Sequence, residues 1–172
     1  MRISDKILVE KIKKKDYEAF KKFYDEYVGL IHYIISLYIK DRCTADDVTQ
    51  EVLMRIIEKI HLFDIEKSGL KTWVATLTKN YTLNYLKLNK NTYSLDEEAI
   101  DRKASYNDTN YHFIKQDLKD VLEPLEYKVL FLKVESKMKH QDIAKILDIT
   151  IDISKKTYIK AIQKAKAYFQ KK

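Results

Sequence analysis

Only two glycines and one proline punctuate this chain of 172 residues, against average usage of about 7% and 5%, and that scarcity limits the fold more than any other feature. Tight hairpins and phosphate-cradling loops draw on glycine for positive φ and on proline for pre-set turns. A chain so poor in both is expected to be all-α. Its hydrophobic fraction of 45% is enough for packed cores, and its length suits one ordinary domain or two small ones.

The apolar runs are far shorter than the roughly 20 residues that span a bilayer, so no membrane insertion is expected. The opening residues, MRISDKILVEKIKKKD, place Asp5 and Glu10 among lysines with no unbroken apolar stretch, unlike a signal or transit peptide. The expected location is the cytoplasm. Cys43 is the single cysteine, which rules out an internal disulfide and a thiolate metal cluster. His32, His61, His112 and His140 lie far apart and in no metal-ligand spacing, so neither metal nor cofactor is expected.

A net charge of +7 favours an anionic partner, and its distribution is more informative than its size. No acid occurs from Lys67 to Leu95, where Lys67, Lys71, Lys79, Lys87 and Lys90 interleave with Trp73, Tyr81, Tyr85 and Tyr93. From Ile153 to the end there is again no acid, and Lys155, Lys156, Lys160, Lys164, Lys166, Lys171 and Lys172 crowd together. Two basic segments suggest two contacts with one polyanion. Lysines meet phosphates while aromatic rings stack on unpaired bases, at about 1 to 3 kcal/mol per base.

Hydrophobic periodicity divides the chain into helices. After Asp16, a candidate N-cap, the residues Phe20, Phe23, Tyr24, Tyr27, Ile31, Ile34 and Tyr38 recur at three- and four-residue steps and predict a buried stripe. A second helix is expected to start at Thr44, with Thr44 as cap and Asp46 and Asp47 near its positive end. Val48, Val52, Ile56 and Ile60, with Leu53 and Ile57, form its inner face; Asp47, Gln50, Glu51, Arg55 and Glu58 face outward. HLFDIEKSGLK breaks the period and reads as a loop. A third helix follows from about Leu70 to Leu88.

From about Asn89 to Gln116 the pattern fails in a polar, partly acidic segment that reads as a linker over residues 91–116 between a first domain, 1–90, and a second, 117–172. Pro124 is placed to open a helix in the second domain. KVLFLKV and HQDIAKIL are short helical patterns. The last helix buries Tyr158, Ala161, Ile162, Ala165 and Phe169 and leaves Lys156, Lys160, Gln163 and Lys164 outside. A short helix, a tight turn and a longer basic helix make a helix-turn-helix, whose second helix can enter a major groove.

On these residues the chain resembles a bacterial sigma factor of the small extracytoplasmic-function (ECF) type. ADDVTQEVLMRIIEKIHLFD and KSGLKTWVATLTKNYTLNYLK are similar to the second conserved domain of that family, with the acid, Gln-Glu, aromatic-Asp and Trp positions in register. LEPLEYKVLFLKVESKMKHQDIAKILDITIDISKKTYIKAIQKAKAYF resembles its fourth. The resemblance implies a non-enzymatic subunit that carries core RNA polymerase to promoter DNA. It would bind the clamp helices of the largest polymerase subunit and the flap of the second-largest, and an anti-sigma factor is a further partner the family admits.

By the same resemblance, Asp47, Gln50, Glu51 and Arg55 are implied to bind polymerase. Phe63, Asp64, Lys67, Ser68 and Gly69 would line the loop that captures a minus-ten base. Lys71, Trp73, Thr76, Lys79, Asn80 and Asn84 would meet the separated strand or its flanking phosphates. Lys155, Lys156, Thr157 and Lys160 would lie on the minus-thirty-five recognition helix. The chain departs from the family pattern at Asp148 and Asp152, where glycines are usual, at Ile153 and Ser154, and at Lys139, which replaces a capping Ser or Thr. The competing classes are a helix-turn-helix regulator that binds duplex DNA without polymerase, and a hydrolase built on Asp46, Asp47 and Glu51, which no histidine or phosphate loop joins.

Overall fold

The computed structural model describes residues 3–89 and 117–170. Among them every regular element is a helix. The chain divides into two compact units, Met1–Ile100 and Asp101–Lys172; the expected linker, 91–116, lies outside the described residues, as do Lys90, Tyr93, His112, Lys171 and Lys172.

The first unit contains α1 (Ile3–Lys13), α2 (Tyr17–Ser36), α3 (Arg42–Lys59), a 3-10 turn (Ile60–Leu62) and α4 (Leu70–Leu88). Sequence reasoning gave no helix at α1. Its lysines obscure a short apolar side, Leu8, Val9 and Ile12, which is buried. The helix ends at Lys15, whose φ of 60° lets the Asp16 amide reach back to the Lys11 carbonyl at 3.1 Å, a left-handed closure of the kind glycine usually supplies. Asp16 then caps α2, its Oδ1 accepting from the Ala19 amide at 2.8 Å. A cap of this kind is worth about 1 kcal/mol.

Phe23, Tyr27, Ile31, Ile34 and Ile35 of α2 are almost wholly buried and pack toward α3 and α4, with Phe23 and Tyr27 stacked at 4.7 Å. Phe20 and Tyr38, on the flanks of that stripe, are half-buried. Tyr24, expected inside, is 43% exposed, because it lies one residue beyond the buried edge.

The expected start of α3 needs correction. Asp41, not Thr44, is the cap: its Oδ2 accepts both the Thr44 amide at 2.8 Å and the Thr44 hydroxyl at 2.6 Å. A carboxylate is the stronger acceptor and favours the positive end of the helix, so the helix gains residues ahead of Thr44. Those bonds, the hydroxyl's first, hold the Asp41 carboxyl below its ordinary pKa. The inner face of α3 is as expected, with Val48, Val52, Leu53, Ile56 and, in the turn, Ile60 buried. Thr49, Thr78 and Thr82 are buried without polar cost, since each hydroxyl donates to the carbonyl four residues back at 2.7 to 2.9 Å.

The second unit holds helical residues at 117–121, then α5 (Pro124–Val134), α6 (His140–Leu147) and α7 (Ile151–Phe169). Pro124 opens α5, and the Glu123 amide donates to the Glu126 carboxylate at 3.0 Å, half of a capping box. Leu122, Leu130 and Ala161 form a core cluster joined by Leu118, Tyr127, Tyr158 and Ile162. Ile143 and Ile146 are buried on α6. Asp148 closes α6 at φ 54°, ψ 42°, in the left-handed region that Asp tolerates better than most residues, and Thr150 caps α7 through the Ile153 amide at 3.2 Å. Phe169, expected in the buried stripe, is 42% exposed in the last turn of α7.

Candidate polymerase-docking and nucleic-acid interfaces

The apolar periodicity of α3 turns one side into the core and leaves the polar residues between those positions in solvent. Asp47, Gln50, Glu51, Arg55 and Glu58 are each exposed or partly so. They are not all independent. Arg55 Nη1 donates to Glu58 Oε2 at 3.0 Å, a pairing within one helix turn. Glu51 Oε2 accepts from the Tyr81 hydroxyl of α4 at 2.9 Å. Burial first, then that bond and the charge of Glu51, raise the Tyr81 phenol above its ordinary pKa. At the start of α3, Asp46 Oδ1 lies 3.1 Å from His32 Nε2 and ties that helix to α2.

The segment after α3 is a braced loop. Phe63 is only 8% exposed and meets Trp73 edge to face at 5.6 Å. Asp64 Oδ1 accepts the Glu66 amide at 3.0 Å, its carbonyl accepts the Lys67 and Ser68 amides at 3.2 and 3.3 Å, and Lys67 Nζ lies 3.5 Å from its carboxylate. Gly69 sits at the N-cap of α4 with φ −68°, and nothing lies within 4 Å of where a Cβ would point. Its place there is not one that only glycine could fill.

On α4, Thr76, Asn80 and Asn84 follow at four-residue spacing and are exposed, with Trp73 half-buried at the head of the same row. Lys79 departs from expectation: it is 9% exposed, on the side of α4 that carries buried Ala75, Thr78 and Thr82, and so cannot offer its length to a strand as an exposed lysine would. Lys71 is half-buried, with its ammonium 5.9 Å from the Tyr27 ring centroid. Phe63 likewise lines the loop from its packed side. Of the residues expected to meet the separated strand, the loop adjoins the head of the Trp73–Asn84 row through the Phe63–Trp73 contact, and Phe63 and Lys79 are buried.

On α7, Lys155, Lys156 and Lys160 are exposed and Thr157 is half-buried. Lys164, expected outside with them, is engaged instead: its Nζ donates to Glu126 Oε2 at 2.8 Å and Glu123 Oε1 at 3.2 Å, across to α5. Burial pushes the Glu126 carboxyl up, but the bond from Lys164, the Glu123 amide and the charges of Lys164 and Lys160 together outweigh it and hold the group below its ordinary value. The first residue of α6 is clamped to α7 as well. His140 Nδ1 lies 3.0 Å from the hydroxyl of fully buried Ser154, and its ring meets Tyr158 edge to face at 5.6 Å. Burial first, then the charges of Lys133 and Lys155, lower the His140 pKa. The two helices of the helix-turn-helix are therefore firmly joined despite the uncapped Lys139 at its start.

Sequence reasoning missed Tyr81 as a partner of Glu51, the His140–Ser154 clamp and the Lys164–Glu126 pair, since each joins residues from different helices. Among the described residues no group of His, Cys, Asp and Glu could hold a metal ion, and no helix is long and apolar enough to cross a membrane.

Comparison with known proteins agrees with this layout. Residues 23–92 match the family model described as Sigma-70 region 2. Over 80 residues, 46% of this chain and 30% of that protein, the chain is 26% identical to the ECF RNA polymerase sigma factor BldN of Streptomyces coelicolor. Over 91 residues, 53% of this chain and 48% of that protein, it is 29% identical to the ECF RNA polymerase sigma factor SigW of Bacillus subtilis. The matches thus span about a third to a half of those relatives' own length. The fold is that of the sigma factor RpoE solved in complex with the anti-sigma factor NepR from Bartonella quintana, with TM-score 0.55 and 19% identity over 88% of this chain and 96% of that one. A match to Sigma-70 region 2 across most of α2, α3 and α4, similarity to relatives of the ECF class and the helical fold of a solved sigma factor together support an ECF-type sigma factor.

Proposed function

We propose that this chain binds core RNA polymerase and directs it to chosen promoters, where it supports strand opening without any bond chemistry of its own. The observation that carries the reading is the solvent face of α3. Asp47, Gln50, Glu51 and Arg55 stand over an inner face that is apolar except for Thr49, inside the segment matched to Sigma-70 region 2. Apart from the bond that Glu51 accepts from Tyr81, the fold needs none of these residue types at those positions. A docking surface for the clamp helices of the largest polymerase subunit accounts for them, and the second unit would meet the flap of the second-largest.

The loop 63–69 and the row Trp73, Thr76, Asn80 and Asn84 then receive the non-template strand of the minus-ten element. Opening a duplex costs about 1.4 kcal/mol of stacking per base-pair step. Stacking of a freed base on an aromatic ring, at about 1 to 3 kcal/mol, and contacts to phosphates offset that cost without ATP. Lys155, Lys156, Thr157 and Lys160 carry the contact to the minus-thirty-five element. Work of this kind belongs to the cytoplasm. An anti-sigma factor is a further partner, supported by the likeness in fold to a sigma factor solved with one.

A polymerase-independent regulator would use only α6 and α7 and leaves the polar face of α3 and the α4 row without a purpose. Run-off transcription from genomic fragments, with purified core enzyme and the full chain, tests the proposal. Discrete transcripts that require both components support it; duplex binding that is unchanged by core enzyme, with no transcript, contradicts it.

A further inference from the structure

The solvent side of the recognition helix is not uniformly polar. In the first nine residues of α7, Ile151 is 42% exposed at the helix start, and beyond it Ile153 is 43% and Ile159 55% exposed. They flank exposed Lys156 three residues before and three residues after it, so the three side chains share one face of the helix. Lys155, Lys160 and Gln163 are exposed around Ile159. Isoleucine is a poorer helix former than the Lys, Gln and Ala at other exposed positions of this helix, and neither Ile153 nor Ile159 belongs to the core. The helix would be better served by Ala, Lys, Gln or Glu at either position.

A duplex offers one reason to hold aliphatic branches there. In the major groove the four base pairs differ by donors and acceptors, which isoleucine cannot address, and by the C5-methyl of thymine, which it can. The lysines on either side supply attraction to the two phosphate ridges that border the groove, and the chain carries no acid from Ile153 onward. Asp152, one residue earlier and also exposed, is an acceptor suited to the N4 amine of cytosine and unsuited to phosphate. An apolar partner protein is the other conceivable occupant, but a few separate aliphatic side chains set among lysines match a groove with methyl groups on its floor and phosphates at its rims.

We infer that Ile153 and Ile159 read thymine methyl groups in the upstream promoter element, with Lys156 between them fixing the helix to the backbone. The inference rests on the proposed function and adds the chemical identity of what the helix recognises. Duplexes randomised upstream of a constant minus-ten region are selected with the full chain bound to core RNA polymerase, and the chosen thymines are replaced one at a time by deoxyuridine, which deletes only the methyl group. Two positions should lose about fourfold in affinity, the value of one buried methyl. Ile159→Ala, which stays helical by circular dichroism, should abolish the loss at one of them, and Ile153→Ala at the other. Lys156→Ala should weaken all duplexes alike and leave the deoxyuridine losses in place.

Selection of a site at which no deoxyuridine matters, or at which Ile159→Ala and Ile153→Ala leave every deoxyuridine loss unchanged, overturns the inference while the proposed function stands. Absence of any polymerase-dependent selection overturns the proposed function, and this reading with it.

Discussion

Tyr81 has a phenol that ordinarily ionises near 10, and in this structure it donates to a carboxylate on the neighbouring helix. The hydroxyl ties α4, which carries the candidate strand contacts, to α3, which carries the candidate docking face. Because its folded pKa is raised, the unfolded chain loses the proton first. The contribution to stability is therefore complete below pH 10 and falls away as pH rises through the folded value. Tyr81→Phe removes the donor alone. It should lower stability by about 0.5 kcal/mol, the lower end of the range for a hydrogen bond, and should flatten the alkaline limb of a stability profile measured by urea unfolding. An unchanged profile in the variant would assign the limb to other tyrosines.

Glu126 gives the opposite sign. Its folded pKa lies below the ordinary 4.5, so the unfolded chain protonates first as pH falls. The stabilisation is present above about 4.5 and is lost as pH drops through the folded value. Glu126→Gln should be less stable than the parent at pH 7, and the gap should close during acid unfolding followed by circular dichroism. A gap that stays constant to the end of the titration would mean that the Lys164 pair contributes nothing through charge.

Helices were the legible part of this chain, and their ends the less legible part. The bounds of α4, the Pro124 start of α5 and the inner face of α3 follow from periodicity and from residues whose preferences are local. The α3 start does not. Asp41 and Thr44 are both good caps, and the choice between them depends on which side chain reaches which amide. Nor did the two glycines mark the tight turns. Neither has positive φ, whereas Lys15, Lys137 and Asp148 do, and a lysine carries no sequence signal for that conformation. Lys137 sits at φ 51° between α5 and α6, where a left-handed residue other than Gly costs about 1 kcal/mol. Lys137→Gly should therefore raise the stability of the second unit by roughly that amount in thermal unfolding. A lower midpoint would show that the lysine side chain, not the backbone, governs this turn.

The candidate site was legible in part for the same reason. Faces of single helices follow from spacing, which is why the Asp47, Gln50, Glu51 and Arg55 face, the Thr76–Asn80–Asn84 row and Lys155, Lys156 and Lys160 emerge toward solvent as expected. Lys79 and Lys164 carry the same charge as those lysines, but one lies against buried threonines and the other answers two glutamates of the second unit. Only packing distinguishes them, and packing between helices is not written in any one helix.

At the scale of the molecule, labour is divided between two units. In the proposed function the first unit supplies the polymerase contact and receives the opened strand, and the second supplies duplex recognition through α7. Lys156→Ala with Lys160→Ala should reduce the salt dependence of promoter binding by about two log units per log of salt, near 0.9 for each phosphate no longer neutralised, and leave the affinity for core enzyme unchanged. Titrations at several salt concentrations check this; loss of polymerase association in the same variant would break the division.

The central claim is that the exposed face of α3 exists to dock on a polymerase. Equilibrium binding of the full chain to core RNA polymerase, compared with Asp47→Ala and Glu51→Ala, measures it directly. Both side chains are exposed, so the fold should be retained, with Glu51→Ala losing only the roughly 0.5 kcal/mol of its bond to Tyr81. The parent chain should bind saturably, and each variant should lose at least about tenfold in affinity, as for a residue central to an interface. Parent and variants binding alike, or a folded parent chain that does not bind core enzyme, would contradict the claim.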